Sequence, residues 1–154
     1  MCTTALKNWK LFLDRFNQRL ALLSNEQLQQ QVAPGRNRLL YLIGHLTATH
    51  DWMFPLLGLG ERLFPELNDV YITSPDKAHP DPLSPADLKA AWTEVNEKLT
   101  AAFEKLTPDE WVQKITTVSD EDFAKDPTRN KLAVFLSRTS HLAFHSGQAV
   151  LVRP

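Results

Sequence analysis

Two long stretches of this chain are almost without charge. Between Leu39 and Leu57 the only formal charge is Asp51, and between Leu132 and Val152 the only one is Arg138. Both stretches read as helices, about 38–57 and 130–152, and helices so poor in charge are covered by protein on more than one side. They are expected to form the central pair of an all-α fold. Two amphipathic helices pack around them. Leu6, Trp9, Leu13, Phe16, Leu20 and Leu23 alternate in steps of three and four, as do Leu88, Trp92, Val95, Leu99, Ala102 and Leu106.

Several helix boundaries are legible. Ser84 precedes Pro85 as a capping serine before proline at the first helical position. Ser24 with Gln27 and Thr107 with Glu110 have capping-box spacing and open short helices. Pro55 conflicts with the carbonyl of Asp51 and should kink the second long helix. The connections near 58–84 and 107–129 are long for a helical bundle. "DVYITS" (69–74) has strand-type residues, but it borders the proline-rich stretch Pro75–Pro85 and reads as irregular connection. "RNRLLYLIGHL" (36–46) is weakly echoed by "RNKLAVFLSRTSHL" (129–142), which suggests equivalent roles for the two uncharged helices.

At 154 residues the chain is expected to form one domain, 1–154. A net charge of −1 gives no electrostatic footprint for direct nucleic-acid binding or for an anionic membrane. The only cysteine is Cys2, so no internal disulfide forms and a reducing compartment fits. Lys7, Lys10, Asp14, Arg15 and Arg19 interrupt the first helix, unlike the apolar core of a signal peptide. No uncharged apolar run reaches membrane-spanning length at either end. The expectation is a cytoplasmic protein.

Three of the five histidines fall in the uncharged helices where they could converge: His45, His141 and His145. Residues four apart share a helix face, roughly 6 Å apart at Cβ, a spacing suited to gripping one metal ion. Three imidazoles suit zinc, nickel, iron or copper and leave coordination positions open. The same spacing also fits polar residues in a packed bundle or at a subunit interface. Leu142 stands where a zinc protease would carry its general-base glutamate, which excludes that chemistry in its usual form. No Gly-x-Ser-x-Gly elbow and no carboxylate dyad are present. His50 lies about 140° round the helix from His45 and is expected to make a polar contact or face solvent. His79 is expected in an exposed loop. Asp51 either orients a ligand histidine or takes an N–H freed by the kink. Trp9, Trp52, Trp92 and Trp111 are expected in the core.

The segment "RNRLLYLIGHLTATHDWMFPLLGLGERLFPEL" (36–67) and the terminal "HLAFHSGQ" (141–148) resemble the DinB-like superfamily of damage-inducible proteins, which includes bacillithiol S-transferase-like members. The family pattern has one histidine in the second helix and His-x-x-x-His-x-Gly-Gln in the fourth. It matches His45, His141, His145, Gly147 and Gln148. The resemblance implies a four-helix bundle in up-down-down-up order, with short helices in its long connections, often as a homodimer. It further implies a divalent metal on the three histidines and, in some relatives, transfer of a low-molecular-weight thiol to an electrophile. This chain departs at Leu142, where members often carry an acid, and at Ser146, where a basic residue is common.

The expected function is therefore a metal-dependent enzyme acting on a small-molecule substrate. Zinc, nickel or iron on His45, His141 and His145 would activate a thiol, or less favourably water. Gln148, one turn beyond His145, would contact substrate or a metal-held water. The alternative is a non-catalytic metal-binding bundle that acts through dimerisation or stress-related binding.

Overall fold

The computed structural model describes residues 2–154, with side chains from Thr3 onward. The side chain of Cys2 lies outside the described residues. Secondary structure is helical: α1 (Cys2–Ala21), α2 (Asn25–Leu28), α3 (Leu39–Asp51), α4 (Met53–Leu57), α5 (Leu67–Tyr71), α6 (Pro85–Phe103), α7 (Pro108–Trp111), α8 (Asp120–Lys125) and α9 (Lys131–Ala149). No strand forms among the described residues. Two isolated antiparallel bridges, Gln31 with Arg38 and Lys114 with Asn130, immediately precede α3 and α9. They sit at the two Arg-Asn-basic-Leu echoes, so the repeated motif marks two similar helix starts. No helix among the described residues is long and apolar enough to cross a membrane.

The boundaries follow local chemistry. Ser24 and Thr107 each form a complete capping box, opening α2 and α7. Ser84 accepts from the backbone of Asp87 ahead of Pro85, and Asn130 accepts from Ala133 at the start of α9. Each such cap contributes about 1 kcal/mol. The expected kink appears as a break at Trp52 between α3 and α4. Pro55 has no N–H to donate to the Asp51 carbonyl, and a proline ring conflicts with the carbonyl four residues before it. Gly58 closes α4 in the left-handed conformation, φ 67°, which glycine adopts without strain. "DVYITS" is not wholly irregular: its first half belongs to α5, which packs against α3.

α3 starts without a side-chain cap. Its anchor is an ion cluster. The Arg38 backbone N–H donates to Asp76 at 2.7 Å, and the guanidinium is shared between Asp76 (2.6 Å) and Asp81 (2.8 Å). Gln29 accepts a further bond at 2.7 Å, and the Tyr71 hydroxyl donates to Asp81 at 3.2 Å. Arg38 is only 7% exposed. A buried cluster of this kind adds little net stability but makes the loss of one partner expensive, because the others are left charged and dry.

The core is continuous through α1, α3, α6 and α9. Every residue of α3 is buried except His45. The expectation that both uncharged helices are covered on more than one side holds for α3 only. α9 buries one stripe, Leu132, Phe135, Thr139, Leu142, His145 and Ala149, and leaves Leu136 and Phe144 in solvent at 46% and 62% exposure. Its lack of charge therefore reflects an uncovered apolar and small-residue face rather than burial all round. Three of the tryptophans are core, but Trp52 is 42% exposed. It lies at the α3–α4 break, where Arg62 stacks over its ring at 4.8 Å and Asn68 accepts its indole N–H at 2.8 Å.

His50 is fully buried between Trp9 and Trp92, with ring centroids 4.9 and 5.2 Å away. Asn96 gives its amide N–H to the Trp92 carbonyl, so its oxygen faces His50 Nδ1 at 2.7 Å and fixes the Nδ1–H tautomer. Burial is the main reason that its pKa falls to about 3, with His141, Arg138 and His45 adding repulsion and Asn96 opposing. A histidine kept neutral in the fold takes up its proton more readily when unfolded. Stability is thus complete above pH ~6.5 and is lost as pH falls from there toward 3. Urea titrations across that window should show this acid loss, and His50→Gln, which keeps a donor for Asn96 but gains no proton, should make it shallower.

Candidate metal centre

His45 comes from the one partly exposed position of α3, and His141 and His145 from successive turns of α9. Their Nε2 atoms converge. His141 Nε2 lies 3.1 Å from His45 Nε2 and 2.9 Å from His145 Nε2. The three ligand atoms all fall within 4.8 Å of one another. The rings meet edge-on, with interplanar angles of 76° to 83°, so the three nitrogens point to a shared point without the rings clashing. Nitrogens sharing a tetrahedral ion at zinc–imidazole bond lengths stand about 3.3 Å apart. The two separations to His141 are within a few tenths of an ångström of that figure, and all three donors lie close enough to share one ion.

The opposite ring nitrogens decide which lone pairs are free. His45 Nδ1 donates to the Tyr71 carbonyl at 2.8 Å, and His145 Nδ1 donates to Gln148 Oε1 at 2.7 Å. Each bond puts the proton on Nδ1 and turns an Nε2 lone pair inward, the arrangement typical of ligating histidines. His141 Nδ1 is buried without a partner among the described residues. Its neutral ring is free to take either tautomer, and Nδ1–H supplies the third lone pair. Burial, then the neighbouring His145 and His45, lower the His141 pKa to about 4. Burial also lowers that of His145, against the Gln148 hydrogen bond. Both are neutral ligands at neutral pH. An all-nitrogen donor set suits zinc, nickel, iron or copper and disfavours calcium and magnesium, which take oxygen.

The other sequence candidates fall elsewhere. Asp51 orients none of the three histidines. Its carboxylate takes the Arg62 guanidinium at 3.0 Å and the backbone N–H groups of Leu63 and Phe64 at 2.7 and 3.2 Å. It organises the loop after α4, because α3 turns it away from the cluster. His50 is sealed in the core, and His79 contacts Ser74 Oγ in an exposed loop. Gln148, read as a substrate contact, has its oxygen on His145.

Tyr71 is the residue that the sequence left unmarked. It acts through a backbone carbonyl, which no residue pattern encodes. The readable trace is Gly44, a glycine inside a helix, normally unfavourable by about 1 kcal/mol. A Cβ there would meet the Tyr71 ring at 2.6 Å. Glycine lets α5 lie directly against α3, which brings the Tyr71 carbonyl to His45. Gly44→Ala should therefore destabilise the fold by about 1–3 kcal/mol in chemical denaturation. It should also weaken metal binding by roughly tenfold or more through the displaced carbonyl, measured by competition with a chromogenic chelator.

The model of the DinB superfamily matches residues 9–149. No individually curated protein matches the chain. The matched span runs from the first core tryptophan through the last residue of α9 and includes all three clustered histidines. The chain belongs to the DinB superfamily.

Proposed function

We propose that this protein is a metal-dependent enzyme that transfers a small thiol to an electrophilic small molecule. The observation that carries this reading is the convergence of three Nε2 atoms from His45, His141 and His145. When bound there, a divalent ion would lower the pKa of a thiol and so supply a nucleophile at neutral pH. The chain's own residues do the rest. Tyr71 and Gln148 hold two ligand rings in the required tautomer. α3, buried at every position but His45, holds that side chain in place.

Thiol transfer is preferred to hydrolysis because no free base stands by the cluster. Asp51 is committed to Arg62, and His50 is walled in by Trp9 and Trp92. An ionised thiol needs no base. Its proton has gone to solvent, its sulfur forms a bond to the electrophilic carbon, and the leaving group departs with the bonding pair. The up-down-down-up helix order, a cytoplasmic setting and a homodimer belong to the same proposal. The uncovered face of α9 at Leu136 and Phe144, with exposed Val150 and Leu151 just after the helix, supports the dimer. The same face supports a second reading, in which the metal only stabilises a bundle that functions through dimerisation.

Protein stripped with a chelator should regain roughly 5–10 °C in melting temperature on addition of zinc or nickel well above the dissociation constant. His141→Ala should abolish that shift. Metal-loaded protein should also accelerate attack of a thiol panel on chlorodinitrobenzene, and His141→Ala should not. A metal-dependent thermal shift without acceleration by any thiol would leave the dimerisation reading in its place.

A further inference from the structure

A cleft of about 240 Å³ opens against one member of the histidine cluster, His145. One wall is His145 itself, with Gln148 one turn on. The opposite wall is the loop before α3, which contributes Arg36 and Asn37, and the floor is Val32 and Leu42. No acidic residue lines it.

The polar groups of this cleft are unusual in kind. The oxygen of Gln148 is committed to His145 Nδ1, so its amide N–H groups are the part left over. The guanidinium of Arg36 and the side-chain amide of Asn37 have no hydrogen-bond or ion-pair partner among the described residues. Acids that could neutralise Arg36 are engaged: Asp76 and Asp81 hold Arg38, and Asp51 holds Arg62. Beyond His141, Arg138 also lacks an ion-pair partner among the described residues, and its Nε is buried without a hydrogen bond. The cluster is thus bordered by unpaired positive charge, and the cleft combines that charge with surplus donors over an apolar floor. A planar guanidinium with an amide beside it matches a carboxylate, which accepts two parallel N–H bonds.

We propose that this cleft binds a carboxylate carried by the thiol, with Arg36 as its counter-ion, the Gln148 amide as a second donor, and the carbon chain lying on Val32 and Leu42. The inference rests on the thiol-transfer reading, which it deepens by naming the class of thiol: a short mercapto-acid rather than a neutral thiol.

The test is a titration of cobalt-loaded protein with mercaptopropionate and with mercaptoethanol, followed through the visible absorption of the cobalt site. Wild type should bind the acid at least roughly tenfold more tightly than the alcohol, the scale of one charge-assisted hydrogen bond. Arg36→Glu should erase this preference and Arg36→Lys should keep part of it, with both variants melting at the wild-type temperature. Equal affinities in wild type, or an unchanged ratio in Arg36→Glu, would overturn the proposal. If neither thiol perturbs the cobalt spectrum, the thiol reading itself fails. The cleft is then judged by titrating metal-free protein with propionate and following the side-chain amide resonances of Gln148. Shifts that disappear in Arg36→Glu would sustain a carboxylate site, and unmoved resonances would refute it.

Discussion

The candidate centre depends on how completely α3 is enclosed. Twelve of its thirteen residues are buried, and the remaining one is His45. Packing on α5, α6 and α9 leaves this helix no freedom to rotate, so the single opening in its cover is also the place where its histidine emerges. A ligand on such an element needs little further ordering, which favours a well-defined site. Gly44 is part of the same constraint. By removing one side chain from a crowded face it admits the Tyr71 ring, and the carbonyl of that residue then sets the ring of its neighbour His45.

Charge is distributed so that the cluster keeps lone pairs and no counter-charge. Acids lie close to α3 in the sequence and in space, but each is spent on structure. Asp76 and Asp81 fasten Arg38 at the helix start, while Asp51 gathers the loop beyond its end. His141 and His145 are therefore shielded from stabilising carboxylates and are kept neutral by burial and by the neighbouring imidazoles. His145, neutral and fixed in tautomer by Gln148, is prepared for a cation. An acid one contact away would have favoured the imidazolium instead.

His50 and His45 show how five residues on one helix separate two fates. The former points into an aromatic box, with Asn96 as its polar partner. The latter faces α9 and completes the cluster. Spacing alone predicted their divergence, because five steps of an α-helix carry a residue well round the axis. It left open which of two outcomes His50 would meet, since a polar contact inside the core requires Asn96 from α6.

Much of the helical plan could be read directly. The three-four alternations, the capping boxes at Ser24 and Thr107, the Ser84–Pro85 start and the break near Pro55 are local, and short-range hydrogen bonding and sterics determine them. The three histidines were also legible, because metal ligands must be particular residue types at particular steps. What the sequence could not decide involves surfaces meeting across the fold. The low charge of α9 looked like burial, yet only packing reveals that one face is covered and another is left to solvent. Asp51 had two candidate partners, a ligand histidine or an N–H freed by the kink, and only the packed loop shows that Arg62 and the N–H groups of Leu63 and Phe64 take it. The role of Tyr71 emerges only when α5 is packed on α3, and the donor-rich cleft at Arg36 only when the loop before α3 is brought beside α9. Helices arise from contacts within a few residues, whereas a carbonyl aimed at a ring or a guanidinium left without an acid is a property of neighbours that the chain order does not name.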